Sequence, residues 1–352
     1  MTPGFERLCN SVFLKASLTN AGTKLEIGAI LTLAGRKPDG DLSRSSSTFI
    51  TKELFGTSNR MMIEILGRSL VDRALDKVRL LGAVEPTLIS EASSSGRVFP
   101  SRGAKPAGFI AAWESAVGQH VRSGVELLLL IRMSAYAELD FAELLRFHAE
   151  TGAQVTQAYD SSGSLDIAVV NAAPLRALGG SYRNVLSGLI PQRRRYLYEG
   201  YVNRLNTPQS FRTLVEDGLH GRCELRPMGV EAQPQVWLGE GAQLDSSVLV
   251  RGPAFIGAGA RVCACCVIQG AASVERNSEV DCGTLVEDSC ILADTYVGVG
   301  LNVRHAIVAN RRLFHLERNV EVGFGDHRLI DVTSKTPALL GTVRNSLHSY
   351  LT

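Results

Sequence analysis

Between Leu238 and Leu292 an aliphatic residue returns at every sixth position: Leu238, Leu244, Val250, Ile256, Val262, Ile268, Val274, Val280, Val286 and Leu292. Four residues after each stands a mostly small one: Ala242, Val248, Ala254, Ala260, Cys266, Ala272, Ser278, Thr284 and Cys290, with Tyr296 ending the run. A period of six matches neither the roughly 3.6-residue turn of a helix nor the two-residue alternation of a strand. It matches a parallel β-helix, in which each hexapeptide builds one flat face and three faces close a coil. The aliphatic side chain then points inward, and the small one fits where two walls converge. Such a solenoid buries its core only by stacking coil on coil, so its ends need caps. After Tyr296 the pattern breaks at Gly298 and Gly300. One or two irregular coils are expected there, and then a tail from Gly325.

Upstream the pattern changes. Residues 1–26 read as a polar extension. Ile30–Leu33 is a short apolar strand ending in Ala34-Gly35, followed by a polar loop from Arg36 to Asn59. Ser69 can cap a helix that carries Leu70, Ala74, Leu75, Val78 and Leu81 on one face and closes at Gly82. Thr87–Ile89 is a further strand, and 91–108 is a Ser/Gly/Pro-rich loop. Ile110, Trp113, Val117 and Val121 share a helix face that ends at Gly124, with Trp113 read as core packing. Val125–Ile131 is almost purely apolar, as in a strand buried on both faces. Asp140 can cap a helix bearing Phe141, Leu144, Leu145 and His148, closed by Gly152. His148 reads as an ordinary helix-face residue.

Gln154–Tyr159 and Leu165–Val170 are strands. Arg193-Arg194-Arg195 reads as a solvated turn. Thr207-Pro208 opens a helix with Phe211, Leu214, Val215 and Leu219 on its buried face. Strands alternating with helices predict an α/β domain over 27–222 with a mostly parallel sheet. The coils then occupy 223–324, and the tail 325–352.

Composition narrows the partners. The 352 residues leave room for two domains, and a net charge of +2 makes no electrostatic case for nucleic acid. No apolar run reaches ~18 residues, so no membrane partner is expected. Met1–Lys24 lacks an apolar signal core. The seven cysteines are odd in number, which argues against a closed disulfide framework and for reduced thiols in a cytoplasmic protein. Cys263, Cys265 and Cys266 invite a metal reading. Cys266 and Cys290, however, fall at small inward positions, and buried thiols are the preferred account.

Several stretches resemble the sugar-phosphate nucleotidyltransferases, or nucleotide-sugar pyrophosphorylases. Leu66-Gly67-Arg68-Ser69-Leu70-Val71-Asp72-Arg73-Ala74-Leu75 is similar to the family's "GxPLIDxxL" helix start. Leu139-Asp140-Phe141-Ala142-Glu143-Leu144-Leu145 with His148 resembles its "DLxxLLxFH" helix, and Gly200-Tyr201 with Thr207-Pro208 resembles "GYWxDIGTP". The resemblance spans roughly 27–320. It implies a Rossmann-like nucleotidyltransferase domain followed by a left-handed parallel β-helix of hexapeptide repeats.

The family's phosphate loop and metal ligands are altered. Where "LAGGxGTRL" would stand, the chain reads Leu33-Ala34-Gly35-Arg36-Lys37-Pro38-Asp39-Gly40-Asp41-Leu42. Arg36 replaces the second glycine, Pro38 removes an amide donor, and Gly40 takes the place of the catalytic arginine. The "PKP" lysine position falls on Arg60. The two magnesium-binding aspartates of the family fall on Ser134 and Arg204; Glu138 or Asp140 could substitute only by a shift of the backbone path. The resemblance therefore yields no catalytic residue and no metal ligand. It does give a candidate set for a nucleotide or sugar phosphate: Leu33, Gly35, Arg36, Arg60, Ser134 and Arg204.

The leading expectation is a binding or regulatory subunit, a pseudoenzyme without cofactor, with Arg36, Arg60 and Arg204 forming a basic cleft. An active magnesium-dependent nucleotidyltransferase with a rebuilt site is the second reading. The third is a hexapeptide acyltransferase using His305 or His315 as general base. A homo-oligomer follows from the resemblance alone.

Overall fold

The structure, a computed structural model, describes residues 19–20, 23–24, 26–33, 60–90, 108–177 and 181–333. Gly35, Arg36 and the rest of the loop to Asn59 lie outside the described residues, as does most of the extension before residue 26. The chain divides into two compact units, Met1–Arg226 and Pro227–Thr352.

The first unit is built on a six-stranded sheet: β1 (Ile27–Leu33), β2 (Thr87–Ser90), β3 (Leu127–Arg132), β4 (Val155–Asp160), β5 (Gly163–Asn171) and β6 (Arg194–Leu197), in the order β6-β4-β5-β3-β1-β2. β1 runs parallel to β2 and β3, and β6 runs parallel to β4. β5 is antiparallel to both its neighbours. The reason is local: the short link between Asp160 and Gly163 can only fold back as a hairpin, whereas a parallel step needs a long crossover. The remaining strands share one direction, so the sheet is mostly parallel, as the alternation of elements predicts.

Helix ends follow the capping residues. α1 (Leu70–Leu80) starts at Ser69, whose hydroxyl accepts from the Asp72 amide. α2 is Phe109–Arg122. α3 (Phe141–Thr151) is capped by Asp140 and ends on left-handed Gly152. α4 (Ala172–Ala177) and α5 (Tyr182–Leu189) are not legible in the hydrophobic pattern, because Pro174, Gly188 and Pro191 punctuate it. α6 (Pro208–His220) begins with a capping box in which Thr207 and Ser210 exchange side-chain bonds. Val117 and Val121 of α2, with Ala172 and Leu175 of α4, pack on Ile30, Leu128 and Val170, and α5 lies against this cluster. Arg194–Leu197 is a strand and not the expected turn. It sits at the sheet edge, where its largely exposed charged side chains keep the free side hydrated. No helix among the described residues is long and apolar enough to cross a membrane.

His148 is a core residue of this unit, 2% exposed. Asn171 donates its amide to the Ala153 carbonyl, which leaves Asn171 Oδ1 to accept from His148 Nε2 at 3.0 Å. Nδ1 then accepts from the Thr156 hydroxyl at 2.7 Å. His120 is also buried, with Nε2 3.0 Å from Thr87 Oγ1. A Cβ on Gly28 would come within 2.9 Å of His120 Nδ1, so glycine is what lets β1 pass under that ring.

The second unit repeats a three-sheet circuit. Ala254–Ile256, Arg261–Val262 and Val267–Gln269 each belong to a different sheet, and Ala272–Val274 returns beside Ala254–Ile256. Pairing is parallel, each residue opposite the one three hexads further on: Ala254 with Ala272, Arg261 with Glu279, Val267 with Leu285. The arrangement is compatible with a parallel β-helix. Its core column contains Ile256, Val262, Ile268, Val274, Val280 and Val286, as the sixfold pattern predicts.

The last step of the predicted column is wrong by one residue. Val274 pairs with Ile291, Val280 with Val297, and Val286 with Val303, each one position short of three hexads. Ile291, not Leu292, therefore joins the column, and the small inward positions become Ser289 and Thr295 in place of Cys290 and Tyr296. Earlier corners close by their own backbone, as in Ala242 N to Gly239 O and Ser278 N to Glu275 O. Past the slip, a hydroxyl from the preceding coil enters the corner instead. Ser278 Oγ donates to Leu292 O at 2.7 Å and accepts from Thr295 N at 3.2 Å. Thr284 Oγ1 donates to Gly298 O at 2.6 Å and accepts from Leu301 N at 3.0 Å. Ser289 Oγ reaches Val303 O and accepts from Ala306 N at 3.0 Å.

Antiparallel strands finish the stack. Val230–Gln233 pairs with Val236–Leu238 at one end, and Ala306–Ala309, Arg312–His315 and Val320–Gly323 form a meander at the other. The segment read as a tail from Gly325 supplies Ile330–Val332, which pairs with Thr295–Val297 and buries Ile330 in the core.

Two outcomes follow. Thr284→Val keeps the shape but leaves Gly298 O and Leu301 N without their partner, so urea unfolding should show a loss of about 1–3 kcal/mol. The second concerns pH. Burial holds His120 and His148 below their ordinary value of 6.5, with the Asn171 bond a lesser opposing influence on His148. The native state thus keeps these rings neutral while the unfolded chain takes up protons near 6.5. Their contribution is complete above that pH and is lost as pH falls. The melting temperature should decline from about pH 7 towards about pH 5, and His148→Gln should flatten that slope even if it melts lower throughout.

Candidate functional site

Adjacent β1 and β3 leave the sheet in opposite directions, β1 towards β2 and β3 towards β5 and β4. Their carboxyl ends form the crevice where ligands settle in open α/β sheets. Leu33 ends β1, but its side chain is 2% exposed and belongs to the core. Met133 extends the pairing by donating to Thr32 O at 2.9 Å, which sets Ser134 just beyond the crevice edge. The Ser134 hydroxyl is buried and has no hydrogen-bond partner among the described residues.

Arg60 is drawn to the same place. It starts a short 3-10 turn, and its guanidinium donates to Leu205 O at 2.8 Å, Ser134 O at 3.3 Å and Asn206 Oδ1 at 3.3 Å. The segment before Leu205 is laid against β3's exit by the pairing of Val202 with Ala137 and Asn203 with Tyr136. Arg60, Ser134 and the 204–206 turn are therefore neighbours, as the resemblance implies. Arg204 itself turns elsewhere. Left-handed Leu205 and the bond from its amide to Asn203 Oδ1 shape the turn. The Arg204 side chain closes on Asp160 Oδ1 at 2.6 Å and on Ser164 O at 3.1 Å. The expected cleft of Arg36, Arg60 and Arg204 is not what these contacts describe: Arg60 clamps backbone, Arg204 is ion-paired, and Arg36 is outside the described residues.

The two carboxylates weighed as substitutes are also engaged. Asp140 Oδ1 caps α3 through Ala142 N at 2.8 Å. Glu138 Oε1 accepts from the Tyr136 hydroxyl at 2.9 Å and from the Glu224 amide.

A second group of side chains was not foreseen. Thr32, Trp113, Arg132, Gln157 and Asp166 line a cleft of about 210 Å³ floored by Ile30, Leu130 and Ala168. Cross-strand register assembles it. Thr32 lies opposite Arg132, and Ala168 lies between Leu130 and Gln157. The ladder between β4 and β5 is irregular from Ser164 to Ala168, and Asp166 takes a left-handed conformation (φ 60°), held by its amide's 2.9 Å bond to Ser164 Oγ. Bulges of this kind redirect a side chain. Gln157 is clamped, donating to Ser164 Oγ at 2.8 Å and accepting from the Tyr159 hydroxyl at 2.9 Å. Among the described residues the Arg132 guanidinium has no hydrogen bond or ion pair. The only available signal in the sequence was polar residues interrupting otherwise apolar strands at Arg132, Gln157 and Asp166.

In the second unit, both nitrogens of His305 lie beside carboxylates, Nδ1 3.8 Å from Asp288 Oδ2 and Nε2 3.7 Å from Glu317 Oε1. His315 Nδ1 accepts from the Arg318 amide at 3.4 Å. No protein-family model and no curated protein matches the chain.

Proposed function

We propose that the first unit is a Rossmann-like, pyrophosphorylase-type domain that binds a sugar phosphate without transferring a nucleotidyl group, and that a left-handed β-helix follows it. The protein then acts as a binding or regulatory subunit. The observation that carries this reading is Arg204, a guanidinium where a cation-holding carboxylate would stand, already locked to Asp160. The other such position holds a neutral hydroxyl, Ser134, without a partner among the described residues. Magnesium is usually held through one or two carboxylates, and a guanidinium and a neutral hydroxyl supply neither.

What the cleft offers is recognition. The Arg132 fork can bind two phosphate oxygens at once. Asp166, Gln157 and Thr32 present acceptors and donors for hydroxyl groups, and Trp113 supplies an aromatic wall. A volume of about 210 Å³ is below the roughly 300 Å³ at the small end of drug-sized sites, so it suits a single sugar phosphate better than a whole sugar nucleotide.

The test is a thermal-shift panel of hexose phosphates, nucleoside triphosphates and sugar nucleotides, with and without magnesium. A hexose phosphate at a hundredfold excess over its Kd should add about 2.7 kcal/mol of stability, independent of magnesium. Arg132→Ala should abolish that gain while leaving the unliganded melting point nearly unchanged. Release of pyrophosphate from a triphosphate and a sugar 1-phosphate, stopped by a chelator, would overturn the reading.

A further inference from the structure

One corner of the second unit gathers ligands of another kind. Cys263 follows Val262, and one coil later Asp281 and Cys282 follow Val280, which pairs with Val262. Stacking therefore sets these residues over one another: the Cys263 amide donates to Val280 O at 2.9 Å. The two sulfurs and a carboxylate oxygen of Asp281 all lie within 4.8 Å of one another. Glu279 lies outside that trio, but its Oε1 is 4.0 Å from Cys263 Sγ. The carboxylate is already oriented, since the Tyr296 hydroxyl, from the next coil, donates to Asp281 Oδ2 at 2.9 Å and the Cys282 amide donates to Oδ1 at 2.7 Å.

The corner carries two thiols and two carboxylates. The ion pair on its edge, Arg261 to Glu279, spans 3.9 Å. Cys263 is nearly buried, while Asp281 and Cys282 are half-buried, so the corner is open to solvent on one side. The buried-thiol account suits Cys266 and Cys290, both 0% exposed, but it does not account for Cys282.

We propose that Cys263, Cys282 and Asp281, with Glu279 as the fourth donor, form a site for a thiophilic divalent cation of the zinc class. Two thiolates and two carboxylates match the tetrahedral preference of zinc. Sulfurs about 2.3 Å from an ion stand roughly 3.8 Å apart in a tetrahedron, so the side chains need only a small contraction. Binding displaces two protons, one from each thiol, and the ion remains divalent throughout. The site would staple consecutive coils just before the register slip. Tyr296 orients a ligand and is a positioning residue.

The experiment uses the full chain, reduced and stripped by a chelator, titrated with Co²⁺ and then with Zn²⁺. One equivalent of Co²⁺ should give sulfur-to-metal charge-transfer absorption and tetrahedral ligand-field bands, both removed by Zn²⁺. Cys282→Ser, at a half-buried position, should remove most of the charge-transfer absorption, and Tyr296→Phe should weaken binding about tenfold. Cys265→Ser should change nothing, because exposed Cys265 stands outside the cluster. Zn²⁺ should raise the melting temperature of the parent chain and not that of Cys282→Ser. The proposal is overturned if no charge-transfer band forms, if the band survives in Cys282→Ser, or if the chain isolated without reductant carries a Cys263–Cys282 disulfide.

Discussion

The stacked unit depends on a constraint of backbone satisfaction. Each of its parallel strands is bonded to a strand one circuit away, so every circuit must deliver the same donors and acceptors to three sheets at once. Dropping one residue from a circuit shifts all three faces together, as the pairings of Val274, Val280 and Val286 show. The corners then no longer close on themselves. Ser278, Thr284 and Ser289 restore the missing bonds with a single atom each, a hydroxyl that both accepts and donates. Alanine serves in the corners before the slip, at Ala254 and Ala260, because nothing there needs bridging.

The same logic explains what could be read from the chain. Ser69, Asp140, Thr207-Pro208 and Gly152 mark helix ends by bonds made within a few residues, so these elements are legible where they stand. The sixfold column is legible for as long as its period holds. The slip is hidden because Ile291 and Leu292 are both aliphatic, and only the pairing with Val274 decides between them. Arg194–Leu197 looks like a turn because edge strands tolerate charge; its place beside β4 is a non-local fact.

The site divides in the same way. Arg60, Ser134 and the turn at Arg204 were legible through their motifs, and they do come together. The partner of Arg204 was not, since Asp160 lies on a different hairpin and the pair is made by the fold. The cleft of Trp113, Arg132, Gln157 and Asp166 was invisible, because its members are scattered along the chain and meet only through strand register. Of the charges near the crevice, Arg60 and Arg204 hold the protein together. Arg132 has no such duty among the described residues.

The hairpins that finish the largest sheet have a consequence for assembly. A bare parallel coil would offer an incoming copy a matching edge, and copies could add head to tail without limit. Here that edge is occupied by reversed strands, Val230–Gln233 at the start and the meander through Val320–Gly323 at the finish, the latter pinned by the Arg312–Glu321 pair at 2.9 Å. Along that sheet an incoming copy would therefore meet a reversed strand and not the matching parallel edge of a coil.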